Sequence, residues 1–200
     1  MSNVVFDISM SLDGYVTADG QTAEEPMGPG GDRLHTWMSS PEGQRLLEKE
    51  GGRLGAVICG RKTYDDSLPW WQAGGPTGPL GVPVIVVTHR PAEPYGVYRF
   101  ATDVRDALAQ ARELAEDRTI TVMGGASIGR QFLAAGLVDE VSLHVAPVVL
   151  GGGTRLFDEP LELRPTEVVD SVEALHLRFS VVSAGLPLLS GEQGASAGRA

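Results

Sequence analysis

Three short stretches carry residue types that could hold an anion, and one of them could also attack a substrate. Thr119 to Phe132 (TITVMGGASIGRQF) sets a β-prone run, Thr119 to Met123, against Gly124 and Gly125, then passes directly into helical spacing from Ile128 to Phe132. A strand, a tight glycine turn and a helix N-terminus leave unpaired backbone N–H groups and the positive end of a helix dipole at the strand's end, a ready phosphate site. Gly60-Arg61-Lys62-Thr63 repeats this logic after the apolar run Leu54 to Cys59, and Thr88-His89-Arg90 follows Val84 to Val87. In an open α/β sheet the carboxyl ends of parallel strands line the ligand crevice, so the three corners can converge on one extended anion, for which a dinucleotide is the natural candidate.

In that reading Gly124 and Gly125 let the backbone approach a pyrophosphate, Arg61, Lys62 and Thr63 stand at a helix start, and Thr88, His89 and Arg90 take a further phosphate such as the 2′-phosphate of NADPH. Taken singly, each corner reads equally well as a capped helix or an exposed turn. The Rossmann fingerprint is not met, because Ala126 stands where G-x-G-x-x-G needs glycine, and there is no Walker A lysine motif. A competing chemistry sits in the same letters: Gly125-Ala126-Ser127-Ile128-Gly129 spells G-x-S-x-G, the nucleophile elbow of serine hydrolases. Asp139, Asp158 or Asp170 and then His176 would follow Ser127 in the required order. Against it, His176 lies in the strand-like run LHLRF, and no H-G-G-G oxyanion segment occurs. No metal site is expected, since His35, His89, His144 and His176 never pair at ligand spacing and Cys59 stands alone.

The elements that must position these corners alternate. Val4 to Met10 reads as a central strand, interrupted by the turn Ser11-Leu12-Asp13-Gly14, with Tyr15 and Val16 extended again. The Gly-, Pro- and acid-rich residues 19 to 32 predict a surface loop and candidate lid, and Asp32 to Met38 a short helix that Asp32 would cap. A second helix follows Pro41, and residues 69 to 83 predict a loop. Tyr98 to Ala101 predicts a short strand before a helix capped at Thr102 or Asp103. Val138 to Val149 predicts a long strand, and Thr166 to Val172 with Leu175 to Val182 a C-terminal hairpin. This order implies an α/β fold in three layers: a mostly parallel central sheet of about eight strands with an antiparallel edge, and about four helices. Two hundred residues suit one domain, 1–183, with 184–200 as a disordered tail.

Acids outnumber bases by 26 to 16, giving a formal charge of −10, so neither nucleic acid nor an anionic membrane is an expected partner. The single cysteine fits a reducing compartment. No basic n-region with an apolar core opens the chain, and no apolar run reaches ~18 residues, so a cytoplasmic protein is expected.

Five segments in register resemble the dihydrofolate-reductase-like family that includes the reductase domain of bacterial riboflavin biosynthesis. They are S-L-D-G-Y at 11 to 15, G-R-K-T-Y at 60 to 64, V-T-H-R-P at 87 to 91, M-G-G-A-S at 123 to 127, and V-D-E-V-S-L-H-V-A-P-V-V-L-G-G-G-T-R-L-F at 138 to 157. The resemblance covers roughly residues 3 to 182. It implies NADPH across the carboxyl edge of the sheet, bound by Gly60, Arg61, Lys62, Thr63, Thr88, His89, Arg90, Gly124, Gly125, Ala126, Ser127 and Ile128. It also implies that Asp13 borders the substrate, as a contact or a proton donor, and that the protein is a homodimer.

Two departures stand out. Dihydrofolate reductases grip the pterin with a carboxylate on the first helix, where this chain offers only Asp32, and no basic residue is well placed for a ribityl phosphate. Trp37, Trp70 and Trp71 could wall an aromatic pocket or simply belong to the core. The expectation is an NADPH-dependent reductase of a pterin-like, aminopyrimidine or related heterocycle. The alternatives are the hydrolase and a non-catalytic nucleotide binder of the same fold.

Overall fold

The computed structural model describes residues 2–90 and 92–182. The expected disordered tail at 184–200 lies outside the described residues. Strands β1 (Val4–Ser11), β3 (Leu54–Gly60), β4 (Val84–Val87), β5 (Tyr98–Ala101), β6 (Thr119–Met123), β7 (Glu140–Ala146), β9 (Leu163–Asp170) and β10 (Leu175–Val181) form one sheet in the order β5-β4-β3-β6-β1-β7-β10-β9. All pairings from β5 to β7 are parallel, while β10 runs antiparallel to β7 and to β9. The mostly parallel sheet with an antiparallel C-terminal edge is thus as expected.

Alternation along the central strands builds the layers. Phe6 and Ile8 of β1, Ile58 of β3 and Ile120 and Val122 of β6 face one side, where they pack with Ala107 and Leu108 of helix α3 (Val104–Ala115) and Ile128 and Phe132 of helix α4 (Ala126–Ala134). Val57 and Cys59 point to the other side and meet Tyr64 and Leu68 of helix α2 (Arg61–Trp71). Burial on both faces explains why these strands read as continuous apolar runs. On β1 the residues between Phe6 and Ile8 and beyond are polar, Asp7 and Ser9, and they point to the same side as α2, into the cleft described below. At Gly129 a Cβ would stand 2.0 Å from the Phe6 ring, so helix α4 can lie this close to β1 only with glycine there.

Several boundaries differ from expectation. Among the described residues ten strands form, because β2 (Tyr15–Thr17) and β8 (Thr154–Arg155) pair in a separate small sheet. The strand expected over 138–149 is shorter: Pro147 has no N–H for the ladder, and the chain turns out of the sheet with Val148 N–H donating to the Ala146 carbonyl. Helix α2 runs on through Pro69 to Trp71, so Trp70 and Trp71 end a helix rather than populate a loop. The short helix is a 3-10 helix, Gly31–Ser39; its N-cap is Gly30, and Asp32 lies inside the first turn instead of capping it. Helix α1 (Pro41–Gly51) is capped by Ser40, whose hydroxyl accepts from Gly43 N–H at 3.0 Å. Asp103 caps α3 as expected, accepting from Arg105 and Asp106 N–H. No helix among the described residues is long and apolar enough to cross a membrane.

Candidate functional site

A cleft of about 1610 Å³ runs over the α2 side of the central strands, between α2 and the unit formed by the 3-10 helix and α1. All three anion corners open into it: Gly60 to Thr63, Thr88 to Arg90, and Gly124 to Ile128. They sit at the carboxyl ends of β3, β4 and β6, which are neighbours in the sheet. Helices α2 and α4 both begin from an extended glycine, Gly60 and Gly125, and neither N-terminus receives a side-chain cap. Two sets of first-turn N–H groups therefore face the same cleft, the arrangement that suits a pyrophosphate.

Gly124 at the third corner is required by the first. Gly124 has φ +102, and a Cβ on it would stand 2.4 Å from Thr63 Cγ2 and 2.6 Å from Thr63 Oγ1. The two corners thus touch through Gly124 and Thr63. Thr88 is buried, and its hydroxyl accepts the Arg90 N–H at 3.1 Å, fixing the turn that carries His89 and Arg90.

The basic side chains here are lightly engaged. Arg61 Nε reaches Asp65 Oδ1 at 2.7 Å, Lys62 Nζ reaches Asp66 Oδ2 at 2.5 Å, and Arg90 stands 3.9 Å from Asp65 with 75% of its side chain exposed. Solvent-exposed pairs of this kind contribute roughly 0–1 kcal/mol, so a dianionic phosphate can recruit these cations. The donor set, the small residues and the helix ends fit a dinucleotide.

The opposite part of the cleft is made of side chains that sequence reading passed over. Asp7 on β1, Ser142 and His144 on β7 and Arg178 on β10 line it, with Glu50 of α1. Register puts them together: Asp7 lies opposite Ser142, Ser9 opposite His144, His144 opposite His176, and Ser142 opposite Arg178. His144 Nε2 is 3.1 Å from Asp7 Oδ2, and its Nδ1 is 2.7 Å from His176 Nδ1. His176 Nε2 is 3.2 Å from Ser171 Oγ.

Arg178 bridges Glu50 at 3.0 Å and Glu140 at 3.3 Å. Burial would raise the Asp7 carboxyl, but His144, Ser142 and Arg178 together hold it below the usual carboxylate range. Burial, and then the His144 charge, push His176 down against a smaller opposing pull from Asp7. His35 is pushed down by burial and by His144, with Asp32 opposing. The signal that could have exposed this cluster was polar residues at alternate positions of otherwise apolar strands, Asp7 and Ser9, Ser142 and His144.

Other expected residues are placed elsewhere or otherwise used. Asp13 does not line the cleft. Its Oδ1 accepts from Leu150 N–H at 3.1 Å and its Oδ2 from Gly151 N–H at 2.7 Å. The Ser11 hydroxyl and these amides hold its carboxyl down at about 2. Leu12 N–H donates to Val148 O and Leu156 N–H to Gly14 O, which ties the turn at 11–14 to the glycine loop at 148–156. Asp13 thereby braces the turn at 11–14 against the glycine loop.

Asp32 is exposed and lines the cleft. Trp37 is 1% exposed; its indole N–H donates to Ser9 Oγ at 2.9 Å and its ring lies 4.1 Å from that of His144. It is core and cleft wall together. Ser127 is exposed, with Gln131 Nε2 at 3.3 Å from its Oγ. A nucleophile elbow needs a strained serine, yet among the described residues only Gln72 and Glu116 are non-glycines at positive φ. His176, engaged by His144 and Ser171 on β10, is not a partner for Ser127, so the hydrolase arrangement is not formed.

The model of a family described as the RibD C-terminal domain matches residues 2–179. No curated protein matches the chain. Among solved structures, a protein from Shewanella sp. PV-4 described as a riboflavin biosynthesis protein is similar with a TM-score of 0.69 at 23% identity, over 91% of this chain and 99% of that one. RibD of Acinetobacter baumannii is similar at 0.64 and 16% identity, over 91% of this chain but only 58% of its own. The diaminohydroxyphosphoribosylaminopyrimidine deaminase/5-amino-6-(5-phosphoribosylamino)uracil reductase of Thermotoga maritima is similar at 0.62 and 17% identity, over 90% of this chain and 57% of its own. At these identities the likeness establishes the fold.

Proposed function

The chain belongs to the RibD C-terminal domain family, and from that premise we propose that it is an NADPH-dependent reductase of a pyrimidine-type heterocycle. The observation that carries the reading is the meeting of two uncapped helix N-termini, those of α2 and α4, with the turn at Thr88 to Arg90 in one cleft. The names of two similar structures support the reaction class, the uracil reductase of Thermotoga maritima and a pyrimidine reductase-like protein of Corynebacterium diphtheriae with a TM-score of 0.58 at 17% identity.

Bound NADPH would supply hydride from its nicotinamide. Gly60 to Thr63 and Gly124 to Ile128 would hold the pyrophosphate through backbone N–H groups, and Arg90, with His89 and Thr88, the 2′-phosphate. The substrate would occupy the end of the cleft near Trp37, His144 and Asp7, where the walls exclude water and fix its plane. A homodimer is part of the proposal: β9 is an edge strand, exposed along nearly its whole length, with Val168 62% and Val172 just beyond it 91% exposed.

Trp70 and Trp71 line the cleft and serve as reporters. Titration should quench their fluorescence more strongly with NADPH than with NADH, and Arg90→Ala should narrow that preference by about tenfold, the equivalent of one charge-assisted contact of about 1.4 kcal/mol. Absence of binding by either nucleotide at high micromolar concentration overturns the reading.

A further inference from the structure

The chain of groups on the sheet face, Asp7–His144–His176–Ser171, fixes where its protons stand. Ala174 N–H donates to Ser171 Oγ at 3.1 Å, and the Ser171 hydroxyl donates its single hydrogen to the Ala174 carbonyl at 2.7 Å. At 3.2 Å from His176 Nε2, Ser171 Oγ then has only acceptor capacity left, so His176 carries its proton on Nε2. Neutral His176 consequently offers a lone pair at Nδ1, and the 2.7 Å contact requires the proton between the two Nδ1 atoms to come from His144. With Nδ1 protonated, a neutral His144 would turn its Nε2 lone pair toward Asp7 Oδ2 at 3.1 Å, against the lone pair of an ionised carboxylate. That contact is favourable only with one more proton, on His144 Nε2 or on Asp7 Oδ2.

We propose that Asp7 and His144 hold one shared proton at the floor of the cleft, and that the substrate takes this proton, through Asp7, during reduction. The second half rests on the reductase reading above. His144 is 5% exposed at its side chain and Asp7 35%, so Asp7 is the member that a substrate touches, while His144 and His176 are positioning residues. The remaining charged and titratable groups facing the pair are Arg178 on β10 with its partners Glu50 of α1 and Glu140 of β7, and His35 and Asp32 of the 3-10 helix.

The step balances as follows. A C=N or C=O carbon of the substrate gains hydride from the reductant, the dihydronicotinamide, which is oxidised. The shared proton leaves by way of Asp7 Oδ2 and goes to the adjacent nitrogen or oxygen, which takes up the π electron pair. The resulting Asp7 carboxylate faces the bare His144 Nε2 lone pair, and that repulsion favours uptake of a replacement proton from water. Ser171 ends the chain on a carbonyl, so the chain sets tautomers and does not carry protons through the sheet.

Imidazole ¹⁵N NMR of the intact protein without nucleotide tests the shared proton directly. Expected are His176 as the neutral Nε2–H form, and His144 protonated at Nδ1 with an additional, exchange-protected proton toward Asp7 at neutral pH. Asp7→Asn should abolish that extra proton and leave His144 neutral. The opposite polarity, with His144 neutral and protonated only at Nε2 and His176 protonated at Nδ1, overturns the proposal.

For the acid role, NADPH oxidation with 5-amino-6-(5-phosphoribosylamino)uracil as probe should fall about 10²–10⁴-fold in kcat in Asp7→Asn. NADPH affinity should stay within twofold, and the alkaline limb of the wild-type pH profile should disappear. Retained kcat in Asp7→Asn overturns the acid role. Wild-type protein that oxidises no NADPH with the probe overturns it along with the proposed function, while the NMR result still decides the shared proton. If Asp7→Asn does not fold, His144→Gln is read instead: kcat should fall by a comparable factor, and the His176 ¹⁵N signals should keep the neutral Nε2–H form.

Discussion

The two halves of the cleft are built by different means. At the carboxyl ends of β3, β4 and β6 the chain presents backbone: two helix N-termini, a turn fixed by Thr88, and glycines that allow close approach. Across β1, β7 and β10 it presents side chains, Asp7, Ser142, His144, His176 and Arg178, set beside one another by strand register. Backbone donors are indifferent to a ligand's heterocycle and suit a constant anionic cofactor. A register-assembled polar cluster is specific in shape and protonation, and changes with single substitutions. The contrast between a backbone-built half and a side-chain-built half can be broken or sharpened by mutation in each.

The largest effect is expected at the seam of the backbone half. Gly124→Ala places a Cβ at φ +102 and within 2.4 Å of Thr63. It should cost about 1–3 kcal/mol in urea unfolding and weaken NADPH binding severely. Thr63→Ala removes the two nearest atoms, Cγ2 and Oγ1, and leaves Cβ at 2.9 Å, so the double variant should recover part of the stability, and a double-mutant cycle reads the recovery. Additive losses would show that the two corners do not meet through this contact.

In the side-chain half, Trp37→Phe removes the indole donor to Ser9 and leaves that buried hydroxyl without it. Loss of about 1–3 kcal/mol is expected by chemical denaturation. NADPH affinity should be unchanged, since the backbone corners are untouched.

A smaller, pH-dependent effect belongs to Asp13. Its folded carboxyl sits at about 2 against an ordinary 3.8. A group depressed in the folded state contributes stability that is fully present above the unfolded value and is lost as pH falls through the folded one. The stability gap between wild type and Asp13→Asn should therefore be complete above pH 3.8 and close as pH falls toward about 2. At neutral pH Asp13→Asn should reduce kcat far less than Asp7→Asn; the reverse order would return the acid role to Asp13.

The smallest effect is expected at Ser127. Exposed and bonded only locally, to Gln131, it should tolerate alanine with unchanged thermal unfolding and no change in background hydrolysis of a p-nitrophenyl ester.

Much of this was legible in the residue order. Glycine followed by helix formers after a β-branched run marks a corner whatever the rest of the chain does, and the three corners occur at 60–63, 88–90 and 124–128 as read. Alternation of Phe6 and Ile8 with Asp7 and Ser9 was equally visible, yet its meaning was not, because the partners come from far along the chain. The bracing by Asp13 was hidden for a related reason: the turn that contains it and the glycine loop at 148–153 were both conspicuous, and only their hydrogen bonds show that each serves the other. The end of the long strand at Ala146 and the run of α2 through Pro69 were likewise settled by tertiary contacts over local propensity.

The sequence by itself determined the sheet-and-helix alternation and the anion corners, because both depend on backbone conformation within a few consecutive residues. The tertiary structure alone decided which side chains face the cleft across β1, β7 and β10. His144 meets Asp7 across 137 positions of sequence and His176 across 32. Only strand order and register, fixed by burying the apolar faces of β1, β7 and β10, bring those three residues within hydrogen-bonding distance.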